Sequence, residues 1–315
     1  QAPQQFRQIV MISGFDKYFQ IAPCFRDEDG RADRSPGEHY QLDMEMAFVE
    51  QEDIFKTVEP IFFKLFTEFG KEKTISKTPF KKITYKNSML KYGTDKPDLR
   101  NPIEIFDVTH IIKKDDVNLD IFKKLISKGA LVRAIPAPDT LDKPRSFFDN
   151  YNSWAKEEKA KGLGYISFEK KNGKIVGKGP LAKHFSQNSI NELIEFCRLK
   201  EKDSVFFNCD IKKNVEKISG LARQKIGMEL NLIDKNRFDF CWITDFPMYQ
   251  YDEIEKKLDF SHNPFSMPQI DIESFDKTEP LSILAYQYDL VCNGTELSSG
   301  AIRNHLPAMM YKVFS

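Results

Sequence analysis

Hydrophobic and polar residues alternate along two short segments near the start of the chain. In residues 17–25 apolar side chains fall on every second position, and in residues 39–49 the same alternation is cleaner. A period of two is typical of a β-strand with one apolar and one polar face. The two segments therefore predict an antiparallel pair of strands whose apolar face is buried and whose polar face carries Gln41, Asp43 and Glu45.

Two further segments place apolar residues at helical spacing. The first begins at Pro3, a residue that suits the first turn of a helix, and ends at Gly14. In residues 54–69 large apolar side chains recur every three or four positions, which predicts a long amphipathic helix kinked at Pro60. The start of the chain is thus predicted as a helix, a strand pair and a second helix.

The pattern changes after residue 102 to shorter, lysine-rich elements. Here the spacing predicts helices over residues 120–127 and 189–198 and strands over residues 164–168 and 204–208. Strand patterns return at residues 238–246 and 284–292, and Asn293-Gly294 is a strong signal for a tight hairpin turn.

These changes divide the chain into three predicted parts of an α+β protein. A core begins in residues 1–102 and resumes in residues 236–315, and a separate α+β insertion occupies residues 103–235. The charge follows the same division. The 47 basic and 47 acidic side chains balance overall, which excludes a uniformly basic nucleic-acid coat, but the insertion carries a net +6 and the last part a net −6. An anionic partner can therefore meet the basic part while the acidic part holds a cation.

The composition also indicates the cellular location of the protein. Hydrophobic residues make up 41% of the chain, enough for a core, and no window approaches the roughly 20 apolar residues of a membrane span. The five cysteines form neither a CxxC pair nor a cluster with histidine at zinc spacing. An odd number of cysteines without a signal peptide predicts reduced thiols and a cytoplasmic protein.

The densest charge lies in the loop between the two predicted strands, residues 24–34. One interpretation is a solvated loop, because isolated surface charges contribute little beyond solubility. The alternative is a site for a polar ligand, because Arg26 and Glu28 continue the polar face that Gln41 and Asp43 share on the neighbouring strand. Arginine suits phosphate in particular, since its planar fork binds two oxygens at once.

A second candidate site surrounds the predicted turn at residues 293–294. A two-residue loop places Val291 opposite Glu296, so that Asp289 becomes the diagonal neighbour of Glu296 on one face. Two carboxylates at that spacing repel each other unless a cation such as Mg²⁺ lies between them. The alternative, an exposed hairpin with ordinary charges, stays open at this point.

These residues, taken with several short motifs, resemble one protein family. Residues 25–28, 31–34 and 41–45 look like motif 2 of the class II aminoacyl-tRNA synthetases, in the form found in bacterial aspartyl-tRNA synthetases. Further segments match the same family in the same order: residues 1–7, 92–100, 245–248, 261–265 and 296–303. Residues 103–235 resemble the insertion of the bacterial-type enzyme, which asparaginyl- and lysyl-tRNA synthetases lack.

The resemblance implies a fold, a reaction and its partners. The fold is an antiparallel catalytic sheet flanked by helices. The reaction is the ATP-dependent activation of L-aspartate to aspartyl-adenylate, followed by transfer to the 3′ end of tRNA(Asp); whether tRNA(Asn) is a second substrate stays open. The implied cofactors are ATP and Mg²⁺, and the complete protein is expected to form a homodimer in the cytoplasm.

The same resemblance assigns roles to residues that spacing alone leaves undecided. Arg26 is the expected catalytic residue, which bridges the α-phosphate and the substrate carboxylate. The other expected roles are ATP binding by Arg26, Asp27, Glu28, Ser35, Gln41 and Glu296; aspartate binding by Gln4, Arg7, Arg26, Asp43, His262 and Arg303; Mg²⁺ binding by Asp289 and Glu296; and contact with the tRNA acceptor end by Gly30, Arg31 and Arg34.

Two departures from the family bear on this interpretation. Position 7 is arginine where the family commonly has lysine, which keeps the charge but changes the shape of the side chain. The chain also lacks the anticodon-binding domain, motif 1 and motif 3, so we expect the central part of a longer enzyme. The alternatives are a truncated protein that binds ligand without catalysis, and an asparagine synthetase-like paralogue, against which the insertion and the loop at residues 30–34 speak.

Overall fold

The computed structural model describes residues 4–25, 37–252 and 255–315. It is a mixed α+β structure, as the sequence predicts, and it divides into two compact units, residues 1–65 and 66–315. The helices are α1 Gln4–Ile12, α2 Gln51–Phe69, α3 Tyr85–Tyr92, α4 Thr109–Ile112, α5 Asp120–Ile126, α6 Arg145–Glu157, α7 Gln187–Phe196, α8 Lys212–Glu229, α9 Ile272–Phe275 and α10 Pro307–Phe314. The strands are β1 Lys17–Phe25, β2 Glu38–Met46, β3 Thr74–Ile75, β4 Lys81–Thr84, β5 Phe106–Asp107, β6 Leu131–Ala137, β7 Gly164–Lys171, β8 Lys174–Lys178, β9 Ser204–Asp210, β10 Arg237–Phe238, β11 Phe240–Pro247, β12 Tyr249–Asp252, β13 Lys257–Phe260, β14 Leu284–Cys292 and β15 Thr295–Ala301.

The first unit contains the predicted pair of strands. β1 and β2 pair antiparallel in continuous register, from Lys17 opposite Met46 to Phe25 opposite Glu38. β1 has the predicted bounds, and β2 ends three residues before the predicted end. The predicted pairing is therefore confirmed.

The burial of this strand pair differs from the prediction. Phe19 and Ile21, on the apolar face, are 72% and 67% exposed, whereas Asp43, on the polar face, is 3% exposed. The helix α1 packs against β1 and reaches the polar face through Arg7, which contributes to the burial of Asp43. The prediction of a buried apolar face is therefore wrong in the described chain, where a helix covers the polar face instead.

The predicted long helix is present as α2. It begins three residues earlier than predicted and ends at Phe69 as expected. Asp53 accepts a hydrogen bond from the backbone amide of Glu50 at 3.0 Å, which places a negative charge at the positive end of the helix. The helix continues across Pro60, and the kink at that residue stays a prediction.

The second unit contains a four-stranded sheet in the order β15-β14-β11-β4. β15 pairs antiparallel with β14 and β14 with β11, whereas β4 runs parallel to β11. The side chains that form its core are Ile83, Tyr92, Cys241, Ile243, Phe246 and Val291. Both strands predicted for the last part of the chain are present, as β11 and β14.

The same unit contains a five-stranded sheet in the order β5-β6-β9-β7-β8. All of its neighbouring strands pair antiparallel. Successive residues of β9 enter two different hydrophobic clusters, with Val205 and Phe207 in one and Phe206 in the other, so that helices cover both faces. This sheet lies within residues 103–235, but one compact unit holds both sheets, and the bounds of the insertion stay a prediction.

The five cysteines lie in the interior of the protein. All five cysteines are free and buried, so each serves as a small apolar side chain of the interior. In the part of the chain that the structure describes, no helix is long and apolar enough to cross a membrane.

Candidate active site

The turn between β14 and β15 is built by Asn293 and Gly294, as the sequence predicts. Their φ angles are 52° and 83°, and two positive values are the geometry of a type I′ turn. The side chain of Asn293 holds the turn, because its Nδ2 donates to the carbonyl of Arg237 at 3.0 Å and its Oδ1 accepts from the amide of Asp239 at 2.9 Å. These bonds attach the turn to the segment that leads into β11.

The turn sets the register that brings two carboxyl groups together. Val291 pairs with Glu296, as predicted, and a β-bulge next to Val291 places Asp289 opposite Ser299. Asp289 is 4% exposed, and burial, together with the charge of Glu296, raises its pKa to about 7. The two carboxyl groups are thus close enough for the charge of one to act on the other.

A lysine without a predicted role pairs with Glu296 and with a further carboxylate, Asp95. Lys96 Nζ lies 3.2 Å from Glu296 Oε2 and 3.0 Å from Asp95 Oδ2. Burial lowers the pKa of Lys96, but the ion pairs with Asp95 and Glu296 raise it above the ordinary value, so the ammonium stays charged. Lys96 lies in residues 92–100, a segment that matches the family. That match could have drawn attention to Lys96, but it assigns no role to the residue.

His262, expected to bind aspartate, lies near the same charges. Its ring packs edge to face on Phe246, with ring centroids 4.9 Å apart. Burial lowers the pKa of His262, and the charges of Asp95 and Glu296 only partly oppose that shift. The imidazole is therefore neutral at pH 7, where one ring nitrogen donates and the other accepts a hydrogen bond.

Arg303, the other expected ligand of the aspartate side chain, follows β15. Its backbone forms an isolated bridge with Ser266, which is buried and lies four residues beyond His262. The neighbouring residue Ile302 accepts a hydrogen bond from the amide of Met267 at 2.7 Å. The backbone therefore joins the segments that carry Arg303 and His262.

In the first unit, Asp43 and three other predicted residues form one hydrogen-bonded group. Gln41 Nε2 donates to Asp43 Oδ1 at 2.5 Å, and Arg7 Nη1 donates to the same oxygen at 3.2 Å. Gln4 accepts a hydrogen bond from Arg7. Arg7 also pairs with Glu45 at 3.2 Å, a residue to which the sequence assigns no role.

Arg7 has one donor without a partner among the described residues. Its side chain is 16% exposed, and its Nε is buried without a hydrogen-bond partner among the residues that the structure describes. A buried donor in that state costs free energy until an acceptor satisfies it. Gln20 also belongs to this group, because its Nε2 donates to Asp43 Oδ2 at 3.4 Å. The sequence assigns no role to Gln20, although its position on the polar face of β1 could have indicated one.

Apart from Arg303, the described candidates form two clusters, one in each unit. We call Gln4, Arg7, Gln41 and Asp43 the Asp43 cluster, and Asp95, Lys96, His262, Asp289 and Glu296 the Asp289 cluster. Arg303 is described but belongs to neither cluster. The other candidates lie outside the described residues: Arg26, Asp27, Glu28, Gly30, Arg31, Arg34 and Ser35. Their roles in catalysis, ATP binding and contact with tRNA stay predictions.

The Asp289 cluster offers the oxygen ligands that Mg²⁺ prefers. Across residues 4–25, 37–252 and 255–315, no group of three or more His, Cys, Asp or Glu side chains is arranged to hold a metal ion. Mg²⁺ is often held by one or two carboxylates while nucleotide phosphates supply other ligands. Asp289 and Glu296 therefore fit a metal ion that arrives with a nucleotide better than a metal centre made by the protein alone.

Comparison with known proteins tests the resemblance over the whole chain. The family model described as tRNA synthetases class II (D, K and N) matches residues 1–315. The aspartate–tRNA(Asp/Asn) ligase of Pelagibacter ubique is 57% identical over 315 residues, which are 100% of this chain and 53% of that protein. The proteins of the same name from Rickettsia felis and Zymomonas mobilis are 56% and 54% identical, across 100% of this chain and 52% of each relative.

A solved structure of an aspartyl tRNA synthetase from Entamoeba histolytica is 17% identical, with a TM-score of 0.39, and the match covers 99% of this chain and 40% of that one. The chain spans about half the length of the curated relatives it matches. The family resemblance is confirmed by the family model and by the identity to these relatives. The chain belongs to the class II tRNA synthetases of the D, K and N type.

Proposed function

We propose that the protein carrying this chain is an aspartate–tRNA ligase, which activates L-aspartate with ATP and transfers it to the 3′ end of tRNA. One observation carries the proposal: relatives with that name are 54% to 57% identical to the chain over its whole length. The chain supplies the part of the enzyme that contains the Asp43 and Asp289 clusters.

The proposed reaction brings negative charges together. The α-carboxylate of aspartate attacks the α-phosphorus of ATP and pyrophosphate leaves; the terminal ribose hydroxyl of tRNA then attacks the carbonyl of the adenylate and AMP leaves. Neither step requires a protein nucleophile, so the protein holds the reactants in line and counters their charge. We assign the α-phosphate to Arg26, because a guanidinium can bind two phosphate oxygens at once.

The nucleotide would meet the remaining proposed ATP ligands, which are Asp27, Glu28, Ser35, Gln41 and Glu296. Asp289 and Glu296 are the residues that would hold Mg²⁺. When bound, this ion supplies positive charge to the phosphates. The support for this assignment is the raised pKa of Asp289, because a buried carboxyl group beside a second carboxylate is stabilised in its charged form by a nearby cation.

The amino acid would be recognised by charge. In the Asp43 cluster, the buried carboxylate of Asp43 suits the substrate ammonium, and the positive charge of Arg7 suits a substrate carboxylate. His262 and Arg303 are the further proposed aspartate ligands, with Gln4 and Arg26. Guanidinium groups would select aspartate over asparagine, because the neutral amide leaves their charge unpaired.

The tRNA partners follow from the relatives, whose names include both tRNA(Asp) and tRNA(Asn). We propose both as substrates, with Gly30, Arg31 and Arg34 at the acceptor end. The net charge of +6 in residues 103–235, the proposed insertion, favours contact with RNA. A homodimer and a cytoplasmic location are part of the same proposal.

Exchange of labelled pyrophosphate into ATP tests the proposed activation step in the full-length protein. Exchange should require L-aspartate, and Arg26→Ala should reduce its rate about 100-fold or more, the usual effect of removing a donor that counters developing charge. Lys91→Met is the control, because Lys91 pairs with Glu104 at 3.4 Å outside both clusters, and exchange should stay at the wild-type rate.

Two results would overturn the proposed function. A protein that shows no exchange with aspartate would be a non-catalytic relative. A protein that forms asparagine from aspartate, ATP and ammonia without tRNA would be an asparagine synthetase. Charging assays with purified tRNA(Asp) and tRNA(Asn) then decide whether one or both tRNAs are substrates.

A further inference from the structure

Lys96 forms ion pairs within the Asp289 cluster and has no role in the proposed function. Its Nζ lies 3.2 Å from Glu296 and 3.0 Å from Asp95. The side chains of Lys96 and Glu296 are 36% and 35% exposed, so a ligand from solvent can reach both. A positive charge of the protein therefore already contacts a carboxylate that we assign to Mg²⁺.

The backbone that carries Lys96 is held on both sides. The amide of Lys96 donates to Thr94 Oγ1 at 3.1 Å, and the hydroxyl of the buried Ser88 donates to the carbonyl of Thr94 at 2.7 Å. On the other side, Arg223 Nη2 donates to the carbonyl of Asp98 at 2.9 Å. The ammonium can therefore change its partner through side-chain rotation while the backbone stays in place.

We propose that Lys96 is an internal counter-ion that competes with the divalent cation for Glu296 and thereby sets the affinity of the site for metal. This inference rests on the proposed function, in which Asp289 and Glu296 hold Mg²⁺. Without nucleotide, the ammonium neutralises and positions Glu296. When a metal-bearing nucleotide binds, the ammonium releases Glu296 and keeps Asp95, its second partner.

The charges determine the direction of the effect. An ammonium 3.2 Å from Glu296 repels a divalent cation that approaches the same carboxylate, and it must move before the cation can bind. A neutral side chain at position 96 removes both costs, so the metal binds more tightly. A lysine with only a structural role would not have this effect, because partly exposed ion pairs contribute little to stability and none of that contribution depends on metal.

Binding of the Mn²⁺ complex of a non-hydrolysable ATP analogue to the full-length protein, followed by the electron paramagnetic resonance signal of the unbound complex, tests the inference, because the nucleotide supplies the metal ligands that the two carboxylates do not. Lys96→Met should bind the Mn²⁺ complex about tenfold more tightly than wild type, a change of about 1.4 kcal/mol. Asp95→Asn should weaken binding of the complex, because the ammonium then turns its charge to Glu296. Lys91→Met, which removes the similarly exposed pair with Glu104, should leave the affinity for the complex at the wild-type value.

Glu296→Gln separates this inference from the proposed function. If Glu296→Gln loses binding of the Mn²⁺ complex while Lys96→Met binds it like wild type, the role of Lys96 is overturned and the metal site stands. If Glu296→Gln binds the complex like wild type, the assigned metal site is wrong, and the counter-ion role with it. If circular dichroism shows that Lys96→Met does not fold, Asp95→Asn decides: weaker binding supports the counter-ion, and unchanged binding overturns it.

Discussion

Arg223 in α8 is 3% exposed and bonds mainly to backbone carbonyl groups. Its Nε donates to Ile103 at 2.6 Å, and its Nη2 donates to Asp98 and Asn101 at 2.9 and 2.7 Å. The guanidinium carbon also lies 4.9 Å from the ring centroid of Tyr92. Burial lowers the pKa of Arg223 to about 10, so the side chain remains charged at neutral pH. This one residue joins α8 to the segment that carries Lys96.

Arg223→Met should therefore destabilise the protein strongly. The substitution leaves two buried carbonyl groups and one partly buried carbonyl group without their donor, and we expect a loss of about 3 kcal/mol in the free energy of unfolding, measured by urea denaturation. Arg145→Met is the matched control, because the side chain of Arg145 is 86% exposed and pairs only with Asp149 one turn along α6 among the described residues. Equal unfolding free energies for the two variants would contradict the proposed joining role.

Asp43 offers a second test at the scale of one residue, because its carboxylate is proposed to bind the substrate ammonium. Asp43→Asn keeps the shape and removes the charge, so the KM for aspartate in pyrophosphate exchange should rise about 100-fold, the cost of losing a charged hydrogen bond of about 3 kcal/mol. Glu45→Gln is the control, since Glu45 also pairs with Arg7 but has no proposed substrate contact. Similar KM values for both variants would argue against the assignment of Asp43.

At the scale of elements, the sequence predicts features that neighbouring residues determine, and it does not predict features that depend on contacts between elements. The register at Val291 and Glu296 was predictable, because the Asn293-Gly294 pair alone selects a type I′ turn. The β-bulge that places Asp289 opposite Ser299 has no local signal. The exposed apolar face of β1 and β2 was not predictable either, because it depends on which face α1 covers, and that is a contact between elements.

Substitutions of Asn293 test whether the residues of the turn themselves determine its geometry. Asn293→Gly keeps access to positive φ but loses the bonds to Arg237 and Asp239, whereas Asn293→Ala loses those bonds and also adds the strain of a left-handed alanine. We expect Asn293→Ala to lower the free energy of unfolding by about 1 kcal/mol more than Asn293→Gly. Equal losses by urea denaturation would show that the hydrogen bonds alone hold the turn.

At the scale of the whole molecule, the sequence could indicate which residues belong to the candidate site, but not which of them contact each other in the folded chain. Charge patterning separates the basic insertion from the acidic last part, and ordered motifs identify the family. Periodicity cannot show that Lys96 meets Glu296, because the two residues lie 200 positions apart and come together only when β15 forms beside the segment after α3. The same limit applies to Arg7 and Asp43, which meet through the packing of α1 on β1.

The buried cysteines give a test of the interior as a whole. Burial raises the pKa of Cys209 to about 11 and those of Cys241 and Cys292 to about 12, and it also raises the pKa of Cys197. Thiols react as thiolates, so at pH 8 these four should stay unmodified by iodoacetamide in the folded protein, both because they are protonated and because reagent cannot reach them. In guanidinium chloride the pKa values return to about 8.5 and all four should be modified, as peptide mass spectrometry can show site by site. Modification of Cys241 or Cys292 in the folded protein as fast as in the unfolded one would mean that the four-stranded sheet opens to solvent, and with it the hairpin that positions Asp289 and Glu296.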